Sequence, residues 1–243
     1  MRKYLLAVAS TVALTSGPTM AGAASLQVAP VSLEIPAPGA SATIKLRNEG
    51  TKPLNAQIRV FRWIQVDGEE KLEATDDVVA SPPLATLAAK TDYVVRLVRT
   101  TKRDIAKGES YRLLVDELPD PSRQQNGVVA IVLRYSIPVF FYPVDTAAPK
   151  LTWSVAQSGG RVFVSATNEG GRHVRLANLK LRAPNGADIT FGNGLSGYVL
   201  GHSTMRWAAN NNKNPLGAGN PVAITAQSDS GPVSASPTLP SNR

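Results

Sequence analysis

The chain of 243 residues contains no cysteine. This absence excludes disulfide bonds, catalysis by a thiol and metal ligation by cysteine. The fold must therefore be held by core burial alone. This is possible for the mature chain of about 219 residues that remains after removal of the signal peptide predicted below. That length fits two domains of about 100 residues each, or one large β domain.

Recognisable catalytic motifs are also missing. The chain has two histidines, His173 and His202, which stand beside turn glycines and far apart in sequence. No serine lies in a GxSxG elbow, no HExxH motif occurs, and no glycine-rich phosphate loop opens a helix. The adjacent carboxylates Asp76–Asp77 and Asp116–Glu117 would point to opposite faces of a strand, so they give no acid–base pair. We therefore expect no enzymatic activity and no metal, nucleotide or other cofactor.

Long apolar runs are absent after the N-terminus. Met1–Lys3 is a short basic segment, Leu5–Leu14 is apolar, and Ala21–Ala24 supplies small residues. This order is typical of a cleaved secretory signal, and the apolar run is shorter than the about 20 residues of a membrane span. We predict a signal peptide over residues 1–24 and an exported, soluble mature chain without stable membrane insertion.

Basic residues exceed acidic ones, with 26 Lys and Arg against 18 Asp and Glu. Removal of Arg2 and Lys3 with the signal peptide leaves 24 against 18, a net charge of +6. A basic surface can meet nucleic acid, anionic lipid or an acidic protein. The basic residues are scattered, however, and nucleic acid is scarce outside the cytoplasm. We therefore predict no nucleic-acid partner.

The sequence pattern that is present is that of β-strands. Alternating apolar and polar residues dominate, 19 glycines and 18 prolines punctuate them, and no long helical period occurs. Short strands with turns about every ten residues predict antiparallel sandwiches. Both Asn48–Gly50 and Asn168–Gly170 read Asn-Glu-Gly and end an alternating strand, which indicates two domains of related design.

The domain boundary is predicted at Pro143–Lys150, a polar stretch bracketed by prolines. The fold class that we predict is all-β, with two sandwich domains. The tail is rich in serine and proline and is expected to be disordered. The complete division is a signal peptide 1–24, an N-terminal domain 25–143, a linker 144–149, a C-terminal domain 150–229 and a tail 230–243.

The most informative segment is Asn126–Pro143, which reads NGVVAIVLRYSIPVFFYP. Its β-favouring residues predict a strand over Val128–Tyr142, and Pro138 inside it predicts an edge position or a bulge, because proline cannot donate to a sheet ladder. Proteins usually protect an apolar edge strand. An unprotected one indicates pairing with another chain. Alternation divides the strand into one face with Val129, Ile131 and Leu133 and an opposite face with Val128, Ala130 and Val132.

The segment before this strand, Tyr111–Pro119, reads YRLLVDELP. This motif is followed by a polar loop, an alternating apolar strand and the segment PVFFYP. That order resembles the periplasmic pilus-assembly chaperones of the chaperone–usher pathway. The resemblance covers residues 25–229 and includes the early strand Ser25–Leu33 and the VVRLV strand Val94–Val98. It implies two immunoglobulin-like β-sandwich domains in a boomerang arrangement.

The function that the resemblance implies is that of a periplasmic chaperone. It would bind, fold and cap incomplete pilus (fimbrial) subunits and deliver them to an outer-membrane usher. In this family the last strand of the first domain completes a subunit that lacks its own final strand. Aligned on the family pattern, the donated side chains are Val129, Ile131 and Leu133. The opposite face, with Val132, is then expected to fill the domain's own core.

The family also grips the C-terminal carboxylate of the subunit with two basic residues in the cleft between the domains. This chain has Pro30 and Pro138 at those positions, a departure that resembles the archaic branch of the family. We therefore predict that Arg96 and Arg134 hold the carboxylate, because an arginine fork binds it bidentately.

Two alternatives stay open. The first is that Arg96 and Arg134 form cross-strand ion pairs with Asp116 or Glu117, or are simply solvated. The second is that the whole chain is a secreted or surface adhesion or carbohydrate-binding protein made of two sandwiches. Such a protein favours exposed aromatics around a groove, whereas the three tryptophans here lie in alternating patterns that are typical of core or edge packing.

Overall fold

The computed structural model describes residues 26–119, 131–210, 216–217 and 220–239. Every regular element in these ranges is a β-strand. Among the described residues there is thus no helix with the length and apolarity of a membrane span. The strands form two immunoglobulin-like β-sandwich domains, as the sequence predicts. The predicted signal peptide lies outside the described residues.

The N-terminal domain consists of two facing sheets. One sheet, here sheet A, has the strand order β1-β3-β8-β6, and the other, sheet B, has the order β2-β10-β9-β4-β5, with β7 also paired to β4. Alternate residues of both sheets point inward and form one apolar core, because successive side chains of a strand point to opposite faces. The bounds are β1 Leu26–Ala29, β2 Leu33–Pro36, β3 Ser41–Asn48, β4 Leu54–Val66, β5 Glu69–Ala74, β6 Val78–Ser81, β7 Leu84–Leu87, β8 Asp92–Arg99, β9 Glu109–Leu118 and β10 Arg134–Tyr142.

The C-terminal domain has the same two-sheet design and its own apolar core. Sheet C has the order β11-β12-β16, and sheet D has the order β14-β13-β17-β18, with β15 also paired to β13. The bounds are β11 Leu151–Ser158, β12 Arg161–Asn168, β13 Val174–Arg182, β14 Asp188–Thr190, β15 Leu195–Val199, β16 Ser203–Asn210, β17 Ala223–Ser228 and β18 Gly231–Ala235.

The two Asn-Glu-Gly segments adopt the same local structure in both domains. Asn48 is fully buried, and its amide donates to two main-chain carbonyls, at 2.8 and 3.1 Å, while its oxygen accepts from the N–H two residues later at 2.8 Å. Asn168 is equally buried and makes the corresponding three bonds at 2.7, 3.4 and 3.0 Å. In each domain this asparagine joins the end of a strand in one sheet to the main chain of the other sheet.

The prediction of a disordered tail over residues 230–243 is wrong in its first part. Gly231–Ala235 forms β18, which is antiparallel to β17, and Leu239 is buried in the C-terminal core. Pro232 is tolerated because β18 is an edge strand, and an edge strand can lack an N–H donor on its free side. The ordered domain therefore extends to Leu239, and residues 240–243 lie outside the described part of the chain.

Candidate functional site

Strand β10 contains the end of the predicted donor strand and lies partly at a sheet edge. It pairs with β9 over Arg134–Phe141 but with β2 only over Val139–Tyr142. Among the described residues, 134–138 therefore have no partner strand on one side, here called the free side of β10, and this confirms the edge position predicted from Pro138. The strand is shorter than the predicted one, because residues 131–133 lie before it and residues 120–130 are outside the described part.

The main chain of alternate residues points to the free side of β10. The N–H of Glu117 donates to the carbonyl of Leu133 at 2.8 Å, so these two residues are a hydrogen-bonded pair of the antiparallel ladder. Since hydrogen-bonded and non-bonded pairs alternate, Arg134, Ser136 and Pro138 direct their main-chain groups away from β9. The N–H that Pro138 lacks would point to the free side, and the ladder with β9 stays complete.

The predicted donor residues do not share one environment. Ile131 is 86% exposed, Leu133 is partly buried against the N-terminal core, and Val129 lies outside the described residues. The odd-numbered face of β10 enters the core, as Ile137 shows. The expectation that the opposite face fills the core is therefore wrong at Val132, which is 45% exposed. The donor role of the three residues stays a prediction.

The two predicted carboxylate anchors are not brought together. Arg96 is exposed on β8, between the core residues Val95 and Leu97, so its side chain points to the outer face of sheet A. Arg134 is exposed on β10, next to the partly buried Leu133, and points to the outer face of sheet B. These faces lie on opposite sides of a sandwich. A single carboxylate cannot bind both, and the prediction of Arg96 with Arg134 as a pair is wrong.

Arg134 forms the ion pair that was left open as its alternative. It donates to Asp116, its direct partner on β9, and Arg59 donates to the second Asp116 oxygen at 2.6 Å. Burial of Asp116 opposes its ionisation, but the hydrogen bonds and charges of the two arginines outweigh burial and hold the pKa of Asp116 below its ordinary value. Two guanidiniums around one carboxylate leave a positive charge at this end of sheet B.

Sequence reasoning missed another arginine, Arg112, which lies on β9 directly opposite Pro138. Its guanidinium carbon lies 3.6 Å from the ring centroid of Trp63 and 5.2 Å from that of Tyr198 in the C-terminal domain. The side chain is only 12% exposed, and burial lowers the pKa of Arg112 from its ordinary value. Arg112 is the arginine of the YRLLVDELP motif, but only the strand register places it beside Pro138.

The charge of Arg112 has a weak partner. Within the described residues its neighbouring carboxylate is Glu70 on β5, with 3.9 Å between the guanidinium nitrogen and the carboxylate oxygen. This separation is beyond hydrogen-bond range. Burial raises the pKa of Glu70 above its ordinary value, although Arg112 acts in the opposite direction. The indole N–H of Trp63 is also buried without a partner in the described part of the chain. The Arg112 guanidinium and the Trp63 indole N–H are therefore hydrogen-bond donors without a close acceptor among the described residues.

Arg112 lies where the two domains meet. A buried aromatic cluster joins the outer face of sheet B to the C-terminal domain, and His173 stacks on Phe140 with 3.5 Å between the ring centroids. We call this group the junction cluster, and we call the outer face of sheet B from Arg134 to Arg112 the cleft face. The junction cluster consists of Trp63, Phe140, Tyr142, Tyr198 and Leu200.

A two-domain immunoglobulin-like protein with a half-paired edge strand beside a basic face has the features of a protein that completes the sheet of another chain. The sequence model of the pili and flagellar-assembly chaperones, PapD N-terminal domain, matches residues 25–147. The chain belongs to this family. No curated protein has a significantly similar sequence.

Solved structures share the fold over nearly the whole chain. A chain of the CsuC–CsuE chaperone–tip adhesion subunit pre-assembly complex, from archaic chaperone–usher Csu pili of Acinetobacter baumannii, is 26% identical, with a TM-score of 0.69 and coverage of 90% of this chain and 100% of that one. The E. coli chaperone DraB is 18% identical, with a TM-score of 0.58 and coverage of 88% and 96%. A chain of the Salmonella enterica SafA pilin complex with the SafB chaperone gives the same four values.

Proposed function

We propose that this protein is a periplasmic chaperone that binds, folds and caps incomplete pilus subunits and delivers them to an outer-membrane usher. The observation that carries the proposal is the free side of β10 in a member of the pilus-assembly chaperone family. The CsuC–CsuE structure, a chaperone with a tip adhesion subunit, supports a pilus subunit as the partner. The secretory signal predicted over residues 1–24 is consistent with the periplasm.

Strand donation would use the free main chain of β10. An incomplete subunit exposes main-chain groups that are costly to leave without partners. A subunit strand on the free side of β10 would pair with the groups of residues 134–138, and release would follow by exchange for another strand. The role needs no nucleotide and no metal.

The side chains of the donor strand would provide the apolar part of the contact. Ile137 on β10 fills the chaperone's own core, whereas Leu133, just before the strand, is partly buried and Ile131 is exposed. These residues, with Val129 before them, would continue into the groove of the subunit, so that the two cores join. Burial of each such side chain contributes about 1.5–3 kcal/mol before the loss of conformational entropy.

Arg112 is our candidate for the cation that holds the C-terminal carboxylate of the subunit. It lies across the ladder from Pro138, where the sequence resemblance expects a basic residue, and its stacking on Trp63 fixes the plane of the fork. Glu70 at 3.9 Å leaves its strong hydrogen bonds available. Arg134 already donates to Asp116, so its contribution would be the excess positive charge that it shares with Arg59.

The carbohydrate-binding alternative finds little support in the tryptophans. All three lie in the described residues. Trp63 and Trp207 are buried, while Trp153 is partly buried and stacks on Trp207 with 6.4 Å between the ring centroids. The rings of Trp63 and Trp207 are therefore not open to a sugar. Buried tryptophans of this kind stabilise the core instead.

The proposal is tested by purification of the tagged protein from periplasm together with the subunits encoded beside an usher. We expect a one-to-one complex with a subunit for the wild type and its loss for Ile131→Asp, which places a charge on the donor face. Val144→Asp is the matched control, because Val144 is 66% exposed and lies just beyond β10. A bound glycan without a subunit, or an unchanged yield for Ile131→Asp, would contradict the proposal.

A further inference from the structure

The hairpin of β4 and β5 reaches from the N-terminal domain to the C-terminal domain. Asp67 and Gly68 form its two-residue turn, with φ of 56° and 81°, the positive values of a type I′ turn. The N–H of Arg206 donates to the carbonyl of Gly68 at 3.0 Å, and Gly68 forms a parallel bridge with Met205. Because β16 is an edge strand of sheet C, the hairpin tip extends that sheet across the domain boundary.

Gln65 makes a second link between the domains. Its side-chain nitrogen donates to the carbonyl of Tyr198 at 2.7 Å, and its side-chain oxygen accepts from the N–H of Leu200 at 3.0 Å. The amide thus pairs with the main chain as a neighbouring strand would. Gln65 also lies on the same face of β4 as Trp63, and the Arg112 guanidinium stacks on the Trp63 ring.

These links determine where Tyr198 lies relative to Arg112. Trp63 belongs to the N-terminal domain and Tyr198 to the C-terminal domain, and both rings lie against the Arg112 guanidinium. A change in the angle between the domains would therefore move one wall of the Arg112 site. The site is complete only when the second domain is held in place.

We propose that Gln65 and Gly68 are positioning residues that fix the angle between the domains and thereby shape the Arg112 site for a carboxylate. This inference rests on the proposed function, since it gives the subunit carboxylate as the ligand of the site. The links themselves are made by this chain alone, so their effect on domain orientation is measurable without any subunit.

Gly68 provides a sharp test because a Cβ atom added there would lie 2.8 Å from the Cβ of Arg206. Real Cβ atoms do not approach so closely, so Gly68→Ala must separate the hairpin tip from β16. Gly186 is a matched control: its φ is +83° and an added Cβ would meet nothing within 4 Å. The two substitutions impose the same backbone strain, but only one of them strains the domain contact.

Domain orientation is measured by single-molecule energy transfer between dyes on two introduced cysteines, Thr51→Cys and Thr190→Cys. The chain has no native cysteine, and both sites are exposed, one in each domain. We expect Gly68→Ala and Gln65→Ala to shift or broaden the distribution, whereas Gly186→Ala resembles the background. Unchanged distributions in both variants would overturn the inference.

Affinity for the subunit that co-purifies with the wild type completes the test. Loss of two hydrogen bonds between the domains is expected to weaken binding about tenfold in Gln65→Ala. Gln27→Ala, at an exposed position of β1 in the opposite sheet, is expected to bind as the wild type. Altered orientation with unchanged affinity would overturn the positioning role. A wild type that binds no subunit would refute the proposed function instead, and the energy-transfer result would still decide whether the links set the angle.

Discussion

Replacement of Arg112 by methionine is expected to separate folding stability from subunit binding. Methionine keeps an unbranched side chain over the Trp63 ring and removes the charge. In the free protein that charge is nearly buried, and burial lowers the pKa of Arg112, so its desolvation is unfavourable. Stacking on the ring offsets this by about 2 kcal/mol. Because the two effects oppose each other, we expect the free energy of unfolding to change by less than about 1 kcal/mol.

The effect of Arg112→Met on binding is expected to be much larger. A subunit carboxylate would accept two parallel hydrogen bonds from the guanidinium in a site from which water is largely excluded. Removal of one partner from such a pair costs about 2–5 kcal/mol. This corresponds to a loss of affinity from about 30-fold to several thousand-fold.

The assay combines urea denaturation of the free protein, followed by tryptophan fluorescence, with titration calorimetry against the co-purified subunit. Arg96→Met is the control, because Arg96 lies on the outer face of the opposite sheet and should bind as the wild type. Arg134→Ala is expected to have a smaller effect than Arg112→Met. Wild-type affinity in Arg112→Met together with weakened binding in Arg96→Met would refute the assignment of the carboxylate site.

Two further predictions concern stability. Burial lowers the pKa of His173 below its ordinary value, with Glu34 acting in the opposite direction, so the unfolded chain binds a proton near pH 6.5 that the folded protein does not. Stability should therefore fall as the pH drops from 7 to 5, and His173→Phe, which keeps the stack on Phe140, should reduce this dependence in thermal melts; an unchanged slope would contradict it. Asn48→Ala and Asn168→Ala each remove the three hydrogen bonds of a buried side chain and should lower the free energy of unfolding of their own domain by about 3 kcal/mol in urea titrations. Wild-type midpoints in either variant would contradict the role of that asparagine.

The sequence predicts strands best where one face is buried and the other is solvated. β8 and β12 show this pattern, because every second residue is buried over most of each strand. β5 could not be predicted, since Glu69–Ala74 is mostly charged and is exposed at every position. It becomes a strand because the Asp67–Gly68 turn folds it back onto β4, and its partner rather than its own composition determines its structure.

The candidate site is harder to predict because it depends on which faces and strands meet. The VVRLV and LRYSIP segments both offer an arginine, but their sequences do not say that Arg96 and Arg134 belong to different sheets. Arg112 lies in the motif that indicates the family, yet its position opposite Pro138 follows only from the register of β9 and β10. The aromatic walls around it come from two domains and are remote in sequence. Pro138 was the useful signal, because its chemistry alone marks the free side of the strand.

The central claim, that the free side of β10 pairs with a subunit strand, is tested most directly by amide hydrogen exchange with and without the bound subunit. The N–H groups of Arg134 and Ser136 point to the free side, whereas those of Tyr135 and Ile137 point to β9. We predict that Arg134 and Ser136 exchange fast in the free protein and become protected in the complex, while Tyr135 and Ile137 are protected in both. Equally fast exchange of Arg134 and Ser136 in both states would contradict the claim.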